Sequence, residues 1–242
     1  SPPTSAPSQT IIQSVTPRRG TVIRSPRRKS GRVRAVLSTT PRKPPSTATG
    51  STSPVFDAMR EQEPDLFVHM GDLHYEDIGR NDVARFRRAY LAVHGSATQS
   101  ALFRSVPVAY TWDDHDFGPN DSDRTSPSRA AALEAYRRFV PHYPLASGPD
   151  APIHQSFRVG RVVFLMTDCR SARSPRGVPE GERTMLGERQ RLWLEGQLDE
   201  ARQAALIVWV NTVPWITKRD ESTKEGWAPF ARERRRIADA IV

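Results

Sequence analysis

Four short apolar runs along the chain predict buried β-strands. They are Leu66–Met70, Val106–Trp112, Val162–Asp168 and Leu206–Val210. Runs of this length, rich in β-branched and aromatic residues, are typical of strands that are covered on both faces. Three of the four end in or lead directly into acidic residues.

Helical spacing of apolar residues separates these runs. It predicts helices over 82–93, 127–139, 186–202 and 229–242. Val159-Gly160-Arg161 predicts a hairpin turn within 153–168. Apolar strands that alternate with helices indicate an α/β fold with a largely buried sheet.

The first 50 residues differ in composition from the rest of the chain. They contain ten of the 36 basic residues and none of the 27 acidic ones, so residues 51–242 carry 26 basic against 27 acidic side chains. Eight of the 21 prolines also lie there, with no aromatic residue. We therefore expect residues 1–50 to form a disordered basic tail, within which 32–37 could pair as a short strand. A polyanion-binding arm is the alternative, and nucleic acid is expected as a partner only through this tail.

Several classes of protein are excluded by composition. The single cysteine, Cys169, rules out an intrachain disulfide framework and a cysteine-rich zinc module. No apolar run approaches the roughly 18–20 residues that a membrane-spanning helix needs. The residues near position 1 lack the charged start and apolar core of a signal peptide.

The densest group of candidate functional residues lies in two segments, 71–77 and 112–121. The carboxyl ends of parallel strands meet at one edge of a sheet, so their acidic side chains should lie close together. Two like charges 4 Å apart repel by about 4 kcal/mol at an effective dielectric near 20, and a hard cation with oxygen ligands removes that conflict. His115, within the acidic run 113–116, should have a raised pKa and could act as a general acid. The alternative is that these aspartates only start turns and cap helices.

The two segments carry a family resemblance. Gly71-Asp-Leu-His-Tyr75 and Val106-Pro-Val-Ala-Tyr-Thr-Trp-Asp-Asp-His-Asp-Phe-Gly-Pro-Asn120 closely resemble the PhoD-like (alkaline phosphatase D-like) metallophosphoesterases. Further matching motifs follow in the family's order: Phe139–Pro144, Ile153–Phe157, Thr167–Ser171, Met185–Gly187 and Asn211–Trp215. The resemblance covers about residues 52–242, which we take as one PhoD-like domain over 51–242.

The resemblance implies a calcineurin-like metallophosphatase β-sandwich flanked by helices. It also implies metal-dependent hydrolysis of phosphate monoesters or diesters, with Ca²⁺ and Fe³⁺ as the expected ions and Mn²⁺ or Zn²⁺ as alternatives. By position in the motifs, Asp72 would bridge the metals and Tyr75 would bind iron through its phenolate. Asp114 would be a further metal ligand, and His115 would polarise the phosphate or protonate the leaving group.

Other residues are second choices. Asn120 is an additional candidate metal ligand, together with Asp113 and Asp116. Arg170 and Arg173 are expected to bind phosphate, although an ion pair with Asp168 or a neighbouring acid is an equally good interpretation. Tyr75 has an alternative role as an aromatic lid on the sheet.

The sequence departs from the family pattern at both flanks. A Ser-Cys pair normally precedes the turn that corresponds to Thr49-Gly-Ser51, but Pro44-Pro-Ser-Thr-Ala48 stands there. The Gly-Asp-x-His-like motif that follows the last helix in the family does not occur in the 242 residues. We therefore expect a domain incomplete at its C-terminus, a fragment or an imperfect gene model. The alternative function is a catalytically incomplete phosphatase-fold fragment, or a binding module that uses the basic tail.

Overall fold

Two four-stranded mixed sheets form the centre of the protein. The computed structural model describes residues 12–14, 21–24, 34–38, 51–216 and 225–241. The strands are β1 (Ile12–Ser14), β2 (Thr21–Arg24), β3 (Arg34–Ser38), β4 (Leu66–Met70), β5 (Val108–Thr111), β6 (Gln155–Val159), β7 (Val162–Met166) and β8 (Leu206–Val210). One sheet has the strand order β2-β3-β4-β5 and the other β1-β8-β7-β6. Within them, β3, β4 and β5 run parallel, as do β1, β8 and β7, whereas β2 and β6 are antiparallel to their neighbours.

The main core lies between the two sheets. Alternate residues of the strands point into it, as Leu66, Val68 and Met70 of β4 do, and Phe164 of β7 meets them from the other sheet. Successive side chains of a strand point to opposite faces, so the residues between them face outward. This arrangement is a β-sandwich.

Helices cover the outer faces of both sheets. The helices are α1 (Val55–Glu61), α2 (Val83–Gly95), α3 (Ala97–Ser105), α4 (Asp114–Phe117), α5 (Arg129–Phe139), α6 (Gly187–Glu200) and α7 (Ala231–Ile241). On one side, α1 and α3 pack on Val36 and Phe67, and on the other, α6 and α7 pack around Trp209. Because β4, β7 and β8 are buried on both faces, their sequences are continuously apolar rather than alternating.

The carboxyl ends of strands from both sheets meet at one edge of the sandwich. The Thr111 hydroxyl donates to the carbonyl of Thr167 at 3.2 Å. The indole Nε1 of Trp112 donates to Asp168 Oδ1 at 2.8 Å. The acidic residues that follow β4, β5 and β7 are thereby brought to the same edge.

Most of the elements predicted from the sequence are confirmed. The four apolar runs, the hairpin and the four helices are present, with ends that differ by a few residues. The α/β sandwich flanked by helices is confirmed as well. Helices α1, α3 and the one-turn α4 were not predicted.

The disorder predicted for residues 1–50 is wrong at three places. β1, β2 and β3 lie within that range and pair with β8, β3 and β4 respectively. β1 and β2 are short edge strands, which backbone pairing to one neighbour can hold. β3 lies inside its sheet and has a buried apolar centre, Ala35-Val36-Leu37, which the low average hydrophobicity of a 50-residue window conceals. The prediction for 32–37 overlaps β3, and the rest of 1–50 lies outside the described residues.

Among the residues that the structure describes, no helix is long and apolar enough to cross a membrane.

The packing between the sheets gives a first prediction. The ring of Phe164 lies 4.9 Å from that of Phe157, centroid to centroid, and is buried between the sheets. Phe164→Ala should lower the free energy of unfolding by about 3–5 kcal/mol, because it removes apolar contacts and leaves a cavity. Leu192→Ala, at a position that is 54% exposed, is the control and should change it by less than about 0.5 kcal/mol. Chemical denaturation followed by circular dichroism measures both, and equal effects would contradict the assigned core.

Candidate metal centre

The turn after β4 brings the backbone of Gly71 against Asp113. Gly71 has φ +84°, and a Cβ built on it would lie 2.4 Å from the Cβ of Asp113. Only glycine fits this position, because a side chain would be both sterically excluded and conformationally strained. Asp72 follows with φ +55°, also in the left-handed region. The segments 71–77 and 112–121 are thus in direct contact.

Asp72, Asp114 and His115 converge at this contact. Each offers one ligand atom, and the three atoms lie within 4.8 Å of one another. Asp72 Oδ2 accepts a hydrogen bond from the Tyr75 hydroxyl at 2.9 Å. Asp72 Oδ1 is buried and has no hydrogen-bond partner among the described residues. Burial, together with the charges of Asp113 and Asp114, raises the pKa of Asp72 to about 7.

Tyr75 and His115 pack on each other beside Asp72. Their ring centroids are 4.5 Å apart. Burial and the neighbouring Asp72 carboxylate raise the pKa of the Tyr75 phenol, so that it is protonated and donates to Asp72 in the absence of a metal. A phenol oxygen so close to the carboxylate is well placed to share a cation with it.

A carboxylate outside the predicted set orients His115. The Nδ1 atom of His115 lies 2.5 Å from Oδ1 of Asp77. Asp77 has φ +48°, a conformation that is rare for a residue other than glycine. Burial lowers the pKa of His115, but the hydrogen bond to Asp77 and the charges of Asp114 and Asp72 outweigh it, so the pKa is raised. Because Asp77 occupies Nδ1, Nε2 is the nitrogen available to a metal or a substrate.

Arg170 is buried between two neighbouring carboxylates. Its Nε lies 2.5 Å from Asp113 Oδ1, and one terminal nitrogen lies 3.5 Å from Asp114 Oδ1. Its other terminal nitrogen donates to the carbonyl of Ser122 at 3.4 Å. All three guanidinium nitrogens therefore have protein partners.

The acidic residues 116 and 168 are held by protein donors. Asp116 accepts from the backbone amides of His74 at 2.9 Å and Asp113 at 3.2 Å. Asp168 accepts five hydrogen bonds, from Trp112 Nε1, the Ser171 hydroxyl and the backbone amides of Ile153, Arg170 and Ser171. Both side chains are fully buried and stabilise the loops around the site.

Comparisons with known proteins agree with this geometry. The family model described as PhoD-like phosphatase matches residues 49–242. The chain belongs to the PhoD-like phosphatase family.

Two relatives of this family illustrate the relationship. Alkaline phosphatase D of Bacillus subtilis (strain 168) is 23% identical over 231 residues, which cover 76% of this chain and 39% of that protein. A solved structure titled "Structure of PhoD" superposes with a TM-score of 0.70 at 19% identity, covering 97% of this chain and 49% of the other. The chain therefore spans less than half the length of these PhoD proteins, and the structural likeness shows the fold.

Not every predicted site residue of this PhoD-like chain joins the cluster. Asn120 is exposed. The next residue, Asp121, lies at the site instead: its backbone amide donates to Asp114 Oδ2 at 2.7 Å. Asp121, Asp114 and Glu225 form a second acidic group, with ligand atoms within 4.8 Å of one another. Glu225 was missed because it lies 104 residues after Asp121 and no strand end or motif marks it.

The two arginines predicted to bind phosphate have other contacts. Arg170 forms the ion pair with a neighbouring acid that was the alternative interpretation. Arg173 donates from Nη1 to the carbonyl of Glu225 at 3.0 Å and lies over the ring of Phe230. Phosphate binding by either stays a prediction, and these contacts favour a positioning role for Arg170.

The residues present fit a metal ion. An orphaned buried carboxylate oxygen, a second carboxylate and an imidazole surround one point, and the phenol of Tyr75 adjoins it. A donor set dominated by oxygen suits hard cations such as Ca²⁺, Mn²⁺ or Fe³⁺. The neighbouring strand β3 (Arg34-Ala-Val-Leu-Ser38) contains no Asp, Glu, His or Cys that could add a ligand.

The raised pKa of Asp72 leads to a prediction about the metal-free protein. A carboxyl group whose pKa is about 7 when folded and ordinary when unfolded destabilises the fold above pH 7. The penalty shrinks as the pH falls from 7 towards 4. Asp72→Asn should therefore raise the free energy of unfolding at pH 8 by about 1–3 kcal/mol, with little gain at pH 4.

Denaturation in the presence of a chelator at both pH values measures this effect. Asp150→Asn, at an exposed position, is the matched control and should have little effect at either pH. If Asp72→Asn lowered the free energy of unfolding at pH 8 in the presence of chelator, the conclusion that burial and neighbouring charges disfavour the Asp72 carboxylate would be wrong.

Proposed function

We propose that this chain carries the metal-binding core of a phosphate ester hydrolase of the alkaline phosphatase D or phosphodiesterase type. The observation that carries the proposal is the buried Oδ1 of Asp72, which has no hydrogen-bond partner in the described part of the chain and lies next to Asp114 and His115. Membership of a phosphatase family supports the same substrate class.

A bound cation would supply Lewis acidity, a lowered pKa for an attacking water and neutralisation of charge on the phosphoryl oxygens. Asp72, Asp114 and Tyr75 would hold it, with Ca²⁺ and Fe³⁺ as the ions we expect. Asn120 and Asp121 are candidates for additional ligands of the same cation, since both lie on the turn after α4.

His115 is the proposed general acid. Asp77 fixes the ring by accepting from Nδ1, so that Nε2 carries the exchangeable proton when the imidazole is charged. Despite burial, the hydrogen bond to Asp77 and the nearby carboxylates raise the pKa of His115 and so favour the protonated ring. His115 can then donate its proton from Nε2 to the leaving oxygen of the ester, or donate a hydrogen bond to a phosphoryl oxygen.

Arg170 positions the acidic residues rather than the substrate. Its contacts restrict the side-chain rotation of Asp113 and Asp114 and reduce the repulsion between their carboxylates. The turn amide of Asp121 holds the other oxygen of Asp114. The ligand atoms are thus preorganised by the protein before a cation binds.

Metal dependence is tested on the full chain. Elemental analysis and hydrolysis of p-nitrophenyl phosphate and bis-p-nitrophenyl phosphate, with and without chelator, give the first result. Asp114→Asn should weaken metal binding at least about tenfold and lower kcat in parallel, since it removes one charged ligand. Asp150→Asn should change neither. Metal-free protein without turnover, or metal binding that survives in Asp114→Asn and Asp72→Asn alike, would favour a catalytically incomplete binding module.

The role of His115 is tested by the choice of leaving group. His115→Gln should lower kcat about 100-fold or more for phenyl phosphate, whose leaving group needs protonation. The loss should be clearly smaller for p-nitrophenyl phosphate, because its leaving group, p-nitrophenolate, is a stable anion that does not need a proton. Asp77→Ala should show the same dependence in weaker form, and Asp77→Asn, which keeps an acceptor for Nδ1, should restore part of the activity. Equal losses on both esters would argue against proton donation by His115.

A further inference from the structure

A cavity of about 420 Å³ lies on the helix side of the sheet that contains β4 and β5. Its walls come from β4, β5, α3 and the ends of α2 and α5, and they include His69, Phe103, Val108 and Tyr110. The volume falls within the roughly 300–1,000 Å³ typical of small-molecule sites. The catalytic proposal above makes no use of this space.

The lining is aromatic and apolar with one cationic side chain. The ring of His69 meets those of Phe103 and Tyr110 edge to face, at 6.3 and 5.7 Å between centroids. Arg104 is the only Arg or Lys in the lining, and no Asp or Glu of the described residues lines the cavity. Within the same described part of the chain Arg104 forms no ion pair, and its guanidinium contacts the Ser100 hydroxyl.

The two histidines of the lining add no positive charge at neutral pH. Burial lowers the pKa of His69 to about 3 and also lowers the pKa of His94. The cavity therefore combines neutral aromatic walls with a single positive charge from Arg104. An aromatic ligand gains offset or edge-to-face contacts with such walls, and one negative charge on it would complement the guanidinium.

We propose that this cavity binds a small aromatic carboxylate, with its ring against Phe103, Val108 and Tyr110 and its carboxylate at Arg104. The cavity also touches Leu73, the residue after Asp72, so a bound ligand would contact the loop that carries the metal-centre carboxylate. The proposal does not depend on metal binding or on hydrolysis.

Methyl NMR tests the site on the full chain in the presence of a chelator. Protein labelled at Leu and Val methyl groups is titrated with 2-naphthoate. Saturable shifts of the methyl signals of Leu73, Val106, Val108 and Val140, all of which line the cavity, are the expected result. Absence of binding at millimolar ligand, or shifts confined to methyl groups elsewhere, would overturn the proposal.

Variants separate the apolar part of the site from its charge. Arg104→Gln should weaken 2-naphthoate about tenfold, as expected for one charge-assisted hydrogen bond, and leave the neutral isostere 2-naphthalenemethanol unchanged. Arg88→Gln, an exposed arginine on α2 outside the lining, is the control and should change neither. An equal affinity for acid and alcohol in the native chain would overturn the assignment of an anionic ligand.

Filling the cavity gives an independent readout. Val108→Trp should abolish binding of both compounds while circular dichroism shows an unchanged fold. If that variant is unfolded, Val108→Phe provides the smaller increase in volume. Undiminished binding to a folded variant of either kind would place the ligand outside the cavity. None of these measurements involves an ester or a metal, so their failure would leave the proposed hydrolase function untouched.

Discussion

A buried guanidinium holds the carboxyl edge of the sandwich together. Arg170 is 1% exposed and lies between Asp113 and Asp114, which follow each other along the chain after β5. A buried charge without its partner is strongly destabilising, so the arginine and the two aspartates require one another. Asp113, held in this way, also accepts from the Thr212 hydroxyl at 3.0 Å and lies against Gly71. The ion pair therefore fixes the position of the turn that presents Asp72.

The segment 71–77, which contains this turn, includes two of the four described non-glycine residues with positive φ. Asp72 and Asp77 both have positive φ, which costs of order 1–3 kcal/mol for each residue and persists only where the surroundings impose it. Here, residues of the helix α4 hold the segment 71–77 in this conformation. Asp116 accepts from the amide of His74, and His115 bonds to Asp77, so the turn is attached to α4 at two points. The four-residue helix thus defines the shape of the loop as well as contributing side chains to the site.

The sequence allowed prediction of what is encoded locally. β4 and β8 could be predicted because continuous burial gives continuous apolar runs. The proximity of Asp72, Tyr75, Asp114 and His115 could be predicted because two short motifs contain them all. α3 was missed because its nine residues, Ala97–Ser105, are mostly small or polar and show little apolar periodicity. The partners of Arg170 lie about 57 residues away in sequence, and no local pattern encodes such a contact. For the same reason the turn that places Asp121 rather than Asn120 against Asp114 could be seen only in the folded chain.

The protein neutralises some of its clustered acids and leaves others to be neutralised. Asp168 has five donors, Asp113 has a buried arginine, and burial raises the pKa of Asp116 while two backbone amides hold it in place. Asp72 differs from these, because one of its oxygens is buried without a donor among the described residues. Burial and repulsion by Asp113 and Asp114 raise its pKa despite the hydrogen bond from Tyr75 and the charge of His115. A purely structural cluster would be expected to satisfy Asp72 in the same way as its neighbours, since an unmet buried acceptor costs about 1–3 kcal/mol. The uneven distribution of donors therefore supports the proposal that a cation binds at Asp72 and the adjoining face of Asp114.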